Sequence, residues 1–192
     1  MKVDQQFDTT NRRSFLARAG VVALGTGTAG LFAGMGPVQS VAQTQDDIGV
    51  IQTALALEHE GIAAYEIAGK SGLLSAGTLK VARVFMGHHQ AHRDALTKLV
   101  MQAGGKPVER KSDATYSQEL KLGTLKSEAD VIALATRLEY GAAGAYISQI
   151  AALKDSKLTR LFAQLSADEA IHWTTLNAAA GKSAPTAAFV FG

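Results

Sequence analysis

The 192-residue chain has no cysteine, which removes disulfides, thiolate metal ligands and thiol nucleophiles together. Any metal must be held by histidine, aspartate, glutamate, tyrosine or backbone oxygen. An excess of one charge is also missing from the body of the chain. Residues 1–42 carry 4 of the 19 Lys and Arg and 2 of the 17 Asp and Glu, which leaves 15 of each beyond them. The basic balance belongs to the start of the chain, and no run of like charge remains to displace counterions from a nucleic acid. No nucleic-acid partner is expected. No glycine-rich loop follows a strand pattern, so nothing suggests a phosphate, nicotinamide or flavin site. A serine-hydrolase elbow is absent too.

The first residues read as a targeting segment. Asn11-Arg12-Arg13-Ser14-Phe15-Leu16 is a twin-arginine pattern, an uncharged Gly/Ala-rich stretch covers 19–35, and Ser40-Val41-Ala42 offers the small residues of a cleavage site. A membrane anchor is the alternative, since the stretch approaches spanning length. Its glycines and alanines, with the arginine pair, favour a signal peptide over 1–42, cleaved on export to the periplasm or beyond and leaving no stable membrane anchor. Such export carries folded proteins, which suits a cofactor loaded beforehand.

About 150 residues then remain, enough for one domain with a core. Four amphipathic segments follow. The first, over 46–70, places Ile51, Leu55, Glu58, Ile62 and Tyr65 on one helical face. The second, over 75–103, has Val81, Phe85, His88, His92, Leu96 and Leu99 on its stripe with His89 beside it, and ends at Gly104-Gly105. The third opens on a Ser127-x-x-Asp130 cap and carries Ile132, Ala135, Glu139, Ala142, Tyr146 and Ile150. The fourth, over 156–180, carries Leu158, Leu161, Leu165, Glu169, His172, Leu176 and Ala179. Short connections make hairpins of the first and last pairs, and the two dozen residues between them form a long crossover. A short helical turn is expected over 117–122. The tail 182–192 is expected to pack on the surface of a bundle spanning 43–181.

A repeat ties these segments to chemistry. Leu57-Glu58-x6-Tyr65 recurs as Leu138-Glu139-x6-Tyr146, and His89-x-x-His92 has its counterpart in Glu169-x-x-His172. Buried carboxylates and imidazoles are costly unless paired or bound to a metal. Residues three apart on a helix project into one volume, so two helix pairs with polar residues in register can close on one site. The candidate ligands are Glu58, His89, His92, Glu139, Glu169 and His172, with His88 as an alternative ligand or a hydrogen-bonding partner. Tyr65 and Tyr146 are core residues, or else donors to the nearby carboxylates or redox-active neighbours of a metal. Trp173 reads as packing, Asp168 as surface charge, and His59 and Glu60 as facing solvent or a neighbouring helix.

In these residues the chain resembles the ferritin-like family, specifically exported members with a twin-arginine signal, related to desiccation-associated proteins. The resemblance implies an all-α four-helix bundle, two antiparallel hairpins joined by a long crossover, with a di-metal carboxylate centre of iron or manganese. One position departs from the family pattern: His89 stands where the second helix's Glu-x-x-His has its Glu. Three carboxylates and three imidazoles favour copper or zinc, or a single ion, more than four carboxylates would. The implied function is redox or oxidative-stress protection, by ferrous-iron oxidation or peroxide disposal. Alternatives are a non-catalytic metal-binding or structural bundle of desiccation type, and a helical interaction module with an accidental polar core. No large apolar patch is evident on the exposed faces, so a monomer or homodimer is expected and not a storage cage.

Overall fold

The computed structural model describes residues 45–191, so the twin-arginine segment lies outside them. The described residues form helices α1 (Gln45–Lys70), α2 (Ala76–Gln102), α3 (Asp113–Glu119), α4 (Glu128–Ile150) and α5 (Ser156–Ala179), with a 3-10 turn at Leu122–Thr124. No strand occurs among them, and none of their helices is long and apolar enough to cross a membrane.

Side-chain caps set the helix starts. Ser75, Ser127 and Asp155 each accept a hydrogen bond from a backbone N–H of the first turn, which satisfies donors the helix leaves free. Ser75 also donates to Glu128 Oε1 at 2.7 Å, tying the start of α2 to that of α4. At the opposite end, buried Asp47 accepts from Lys154 N at 2.7 Å and joins the start of α1 to the α4–α5 turn. Gly104 and Gly181, both at positive φ, end α2 and α5 in the conformation that costs glycine least.

Hairpins α1/α2 and α4/α5 pack closely within themselves, and across them α1 and α4 make the main backbone approach. Two apolar layers fill the bundle. One holds Ile51, Leu55, Leu96, Val100, Tyr146 and Phe162; the other holds Tyr65, Ala82, Phe85 and Leu176. Each long helix runs from one layer to the other and carries its polar residues between them. A buried polar layer so enclosed keeps one register, because a slip would bury charge in hydrocarbon.

Two expectations need correction here. The inward stripe of α2 is Ala82, Phe85, His89, His92, Leu96 and Val100, while Val81 is exposed. It therefore runs through His89, not His88. In the crossover the helix is Asp113–Glu119, earlier than 117–122, because Ser112 caps it and Tyr116, 3% exposed, anchors it.

The crossover lies along α1. Gln52 bonds both Lys106 O and Val108 N at 2.7 Å, His59 Nε2 bonds Val108 O at 3.2 Å, and Glu66 accepts from Arg110 at 2.9 Å. These three α1 residues are spaced by seven, so they lie on one face. His59 therefore holds the connection and does not face solvent freely. At the end of the described residues only the last two meet the bundle: Tyr140 Oη donates to Val190 O at 2.9 Å, and Trp173 meets Phe191 with ring centroids 5.2 Å apart, while Phe189 is exposed.

Candidate metal centre

Six side chains from four helices meet in the polar layer, all buried: Glu58, His89, His92, Glu139, Glu169 and His172. They form two overlapping groups. Glu58, His89, His92 and Glu169 make one; His89, Glu139, Glu169 and His172 make the other. Within each group the donor atoms lie within 4.8 Å of one another. Glu169 spans both, with Oε1 3.1 Å from His92 Nδ1 and Oε2 3.0 Å from His172 Nδ1. His89 spans both as well: Nδ1 is 2.8 Å from Glu58 Oε2 and Nε2 is 3.3 Å from Glu139 Oε1. The ring thus faces both halves; protonated, it donates to a carboxylate of each, and as neutral imidazole it has one nitrogen free to ligate an ion.

The tyrosines cross between hairpins. Tyr65 of α1 donates to Glu139 of α4, and Tyr146 of α4 donates to Glu58 of α1. Burial and the adjacent carboxylate charge push both phenols well above their ordinary range, so they stay protonated and keep donating. Outside the six, His88 Nδ1 lies 2.9 Å from His172 Nε2, and Asp168 Oδ2 lies 3.2 Å from His92 Nε2. His88 is thereby a hydrogen-bonding partner of the inner ring. Asp168 is more than surface charge: it orients His92 through the nitrogen facing away from the cluster, as carboxylates orient metal-bound imidazoles. Its place one residue before Glu169 hid this, since adjacent helical residues point about 100° apart.

Charge is balanced inside the cluster. Burial alone would raise Glu58, but hydrogen bonds from His89 and His92 outweigh it and hold the carboxyl at about 2. Glu139 is lowered likewise by His172 and His89 against burial. Burial wins at Glu169, which is raised; of three carboxylates sharing one volume, it is the preferred proton site. Burial disfavours charge on the imidazoles, yet their carboxylate partners prevail: His92 is raised to about 12, and His89 and His172 are raised too. Protons on the imidazoles therefore supply the positive charge that bound ions would supply.

The residues fit a transition metal. His92 Nδ1 and Glu169 Oε1 are buried without a hydrogen-bond partner and face each other 3.1 Å apart. With His92 protonated the two atoms form an ion pair, and once that proton leaves they are two ligand atoms converging on one buried volume where an ion can take its place. Imidazole nitrogen and carboxylate oxygen together suit iron, manganese, copper or zinc.

Gly61 makes room for the ring of His89. A Cβ there would stand 3.1 Å from His89 Cε1 and Nδ1, tighter than ordinary contact. The ring cannot recede, because Glu58 and Glu139 hold it from two sides. Gly61→Ala should gain about 1 kcal/mol of helix propensity and lose as much or more to overpacking. The expected result is an unchanged helical spectrum with weaker metal retention, read by circular dichroism and metal titration; equal retention would show that the slot is not needed.

Comparison with known proteins agrees with this architecture. The crystal structure of a conserved hypothetical protein, rv2844, from Mycobacterium tuberculosis is similar, with a TM-score of 0.62 at 22% identity over 70% of this chain and 96% of that one. That likeness bears on the fold alone. No curated protein matches the chain. A ferritin-like domain profile matches residues 46–182, well over half of the sequence and all four bundle helices. The chain belongs to the ferritin-like domain family.

Proposed function

We propose that this protein is an exported ferritin-like metalloprotein that holds one or two transition-metal ions in its bundle core and serves redox or oxidative-stress protection, through ferroxidase- or peroxide-type chemistry. The observation that carries the reading is the pair of buried four-residue groups sharing His89 and Glu169. A redox-active ion bound there would supply electron exchange with oxygen or peroxide. The chain's own residues do the rest. Glu58, His92 and Glu169 hold one half, Glu139, Glu169 and His172 the other, and His89 stands between them. Tyr65 and Tyr146 orient Glu139 and Glu58 and keep protons beside the centre. The apolar layers on either side exclude bulk water. Export rests on the twin-arginine pattern at Arg12-Arg13 and the cleavage pattern ending at Ala42.

Elemental analysis of the purified protein, with His89→Glu alongside, tests this. The wild type is expected to retain at least one equivalent of metal after dialysis at neutral pH. His89→Glu, which restores a fourth carboxylate, is expected to shift the content towards two equivalents of iron or manganese. Absence of metal from both proteins sinks the proposal.

One observation favours a second reading, a non-catalytic bundle of the desiccation-associated kind. Protonated His89 bonds Glu58 and Glu139, and together with His92 and His172 it can balance the three carboxylates without any ion. Metal-loaded protein that neither oxidises ferrous iron nor consumes peroxide would decide for that reading.

A further inference from the structure

A recess of about 550 Å³ opens beside the candidate metal centre, between α1 and α4 and the adjoining ends of α2 and α5. The sequence showed no large apolar patch, because small residues are mixed with larger apolar ones that four separate helices contribute. Ala64, Ala68 and Ala82 are buried in its wall, and Gly61, Ala135 and Ala142 complete the narrow side chains along it. Larger residues at these positions would fill the space between α1 and α4. Leucine, isoleucine and valine supply the rest of the wall, including Leu134 and Leu176.

The polar groups are sorted by depth. Among the buried lining residues the only polar ones are Tyr65, His89 and Glu139, which belong to the cluster or bond to it. Glu60 and Thr78 line the recess half-buried, and Ser75, Arg137 and Thr175 line it exposed. An apolar cavity of this size with a few convergent polar groups at its inner end has the make-up of a small-molecule site. A dimer interface would not need a floor of ionisable residues, and a pathway for aqueous metal ions would not be lined by leucine and alanine.

We propose that this recess binds an uncharged, predominantly apolar organic molecule, about three aromatic rings in bulk, and holds it against His89 and Glu139. The assignment of that molecule as a substrate rests on the metal reading above; the binding itself does not. The recess gives the centre a substrate class beyond small inorganic species, selected by apolar walls instead of charge.

Titration of the purified protein with the neutral fluorophore N-phenyl-1-naphthylamine tests the inference, with metal content measured in parallel. Saturable one-to-one binding is expected. Ala142→Trp, and Ala135→Phe as a second variant should the first fail to fold, should weaken it at least tenfold while metal content stays at the wild-type level. Val84→Trp, on an exposed face outside the recess, should leave it unchanged. In protein loaded with cobalt(II), bound fluorophore should also shift the visible bands, since the recess reaches ligand side chains. No saturable binding, equal binding in the filled variants, or binding that disappears as the protein dimerises with concentration would each overturn the proposal. Binding that behaves as expected in a protein retaining no metal would uphold the recess and remove the metalloprotein reading.

Discussion

Glu169→Ala is expected to abolish metal retention in both halves of the cluster, whereas Glu58→Ala should leave one ion bound. Glu169 is the carboxylate whose two oxygens face different imidazoles, His92 and His172, so its removal takes a donor from each group at once. Glu58 serves only the half that contains His92. Loss of an outer hydrogen-bonding partner alone lowers metal affinity about 10–100-fold, and loss of a shared ligand should exceed that. The metal-free protein should suffer as well. Breaking a buried ion pair by deleting one partner typically costs about 3–5 kcal/mol, because the other charge stays buried. Elemental analysis and urea unfolding of both variants check this. If both variants keep one ion, or Glu169→Ala stabilises the fold, the shared-ligand geometry is wrong and the polar core is incidental.

The second large effect is a proton count. Metal uptake at neutral pH should release protons, up to one per imidazole ligand, because ligation requires neutral imidazole and His89, His92 and His172 are all held above their ordinary value of 6.5. Ion and proton then compete at the same atoms. Apparent affinity should rise with pH through the neutral range, about tenfold per pH unit for each proton released. Calorimetric titration in two buffers of different ionisation enthalpy reads the count directly, and a buffer-independent heat would contradict it.

The same shifts set the pH dependence of the metal-free fold. For His92, raised from 6.5 to about 12, the stabilisation is fully present below 6.5 and is lost as pH rises towards 12. For Glu58, lowered from 4.5 to about 2, it is present above 4.5 and is lost as pH falls towards 2. The metal-free protein should be most stable between those limits, and bound metal should extend its stability on the alkaline side. Thermal unfolding against pH, with and without zinc, shows both effects.

Much of this site can be read along the chain, and the limits of that reading are physical. The candidate ligands of α1 and α5 stand on clean apolar stripes, so the inward positions of Glu58, Glu169 and His172 follow from periodicity. On α2 the residues His88 and His89 differ by about 100° of helical rotation, and both border the stripe. The burial of Ala82 and Val100, in place of Val81 and Leu99, turns the helix enough to put His89 inside. Asp168 and His59 looked like surface residues for a related reason. Each finds its partner, His92 and the crossover carbonyl of Val108, in a segment far away in sequence.

The sequence by itself determined the four long helices, the Ser127 cap, the hairpin and crossover connections and the repeat of acidic and imidazole residues, because propensity, periodicity and capping act over a few residues. Only the tertiary structure decided that Tyr65 and Tyr146 cross to the carboxylate of the opposite hairpin, that His89 and Glu169 are shared between two groups, and that small residues on α1 and α4 leave a recess at the centre. Those features depend on how four helices rotate and space themselves against one another. Side chains distant in sequence settle that together as they fill one core.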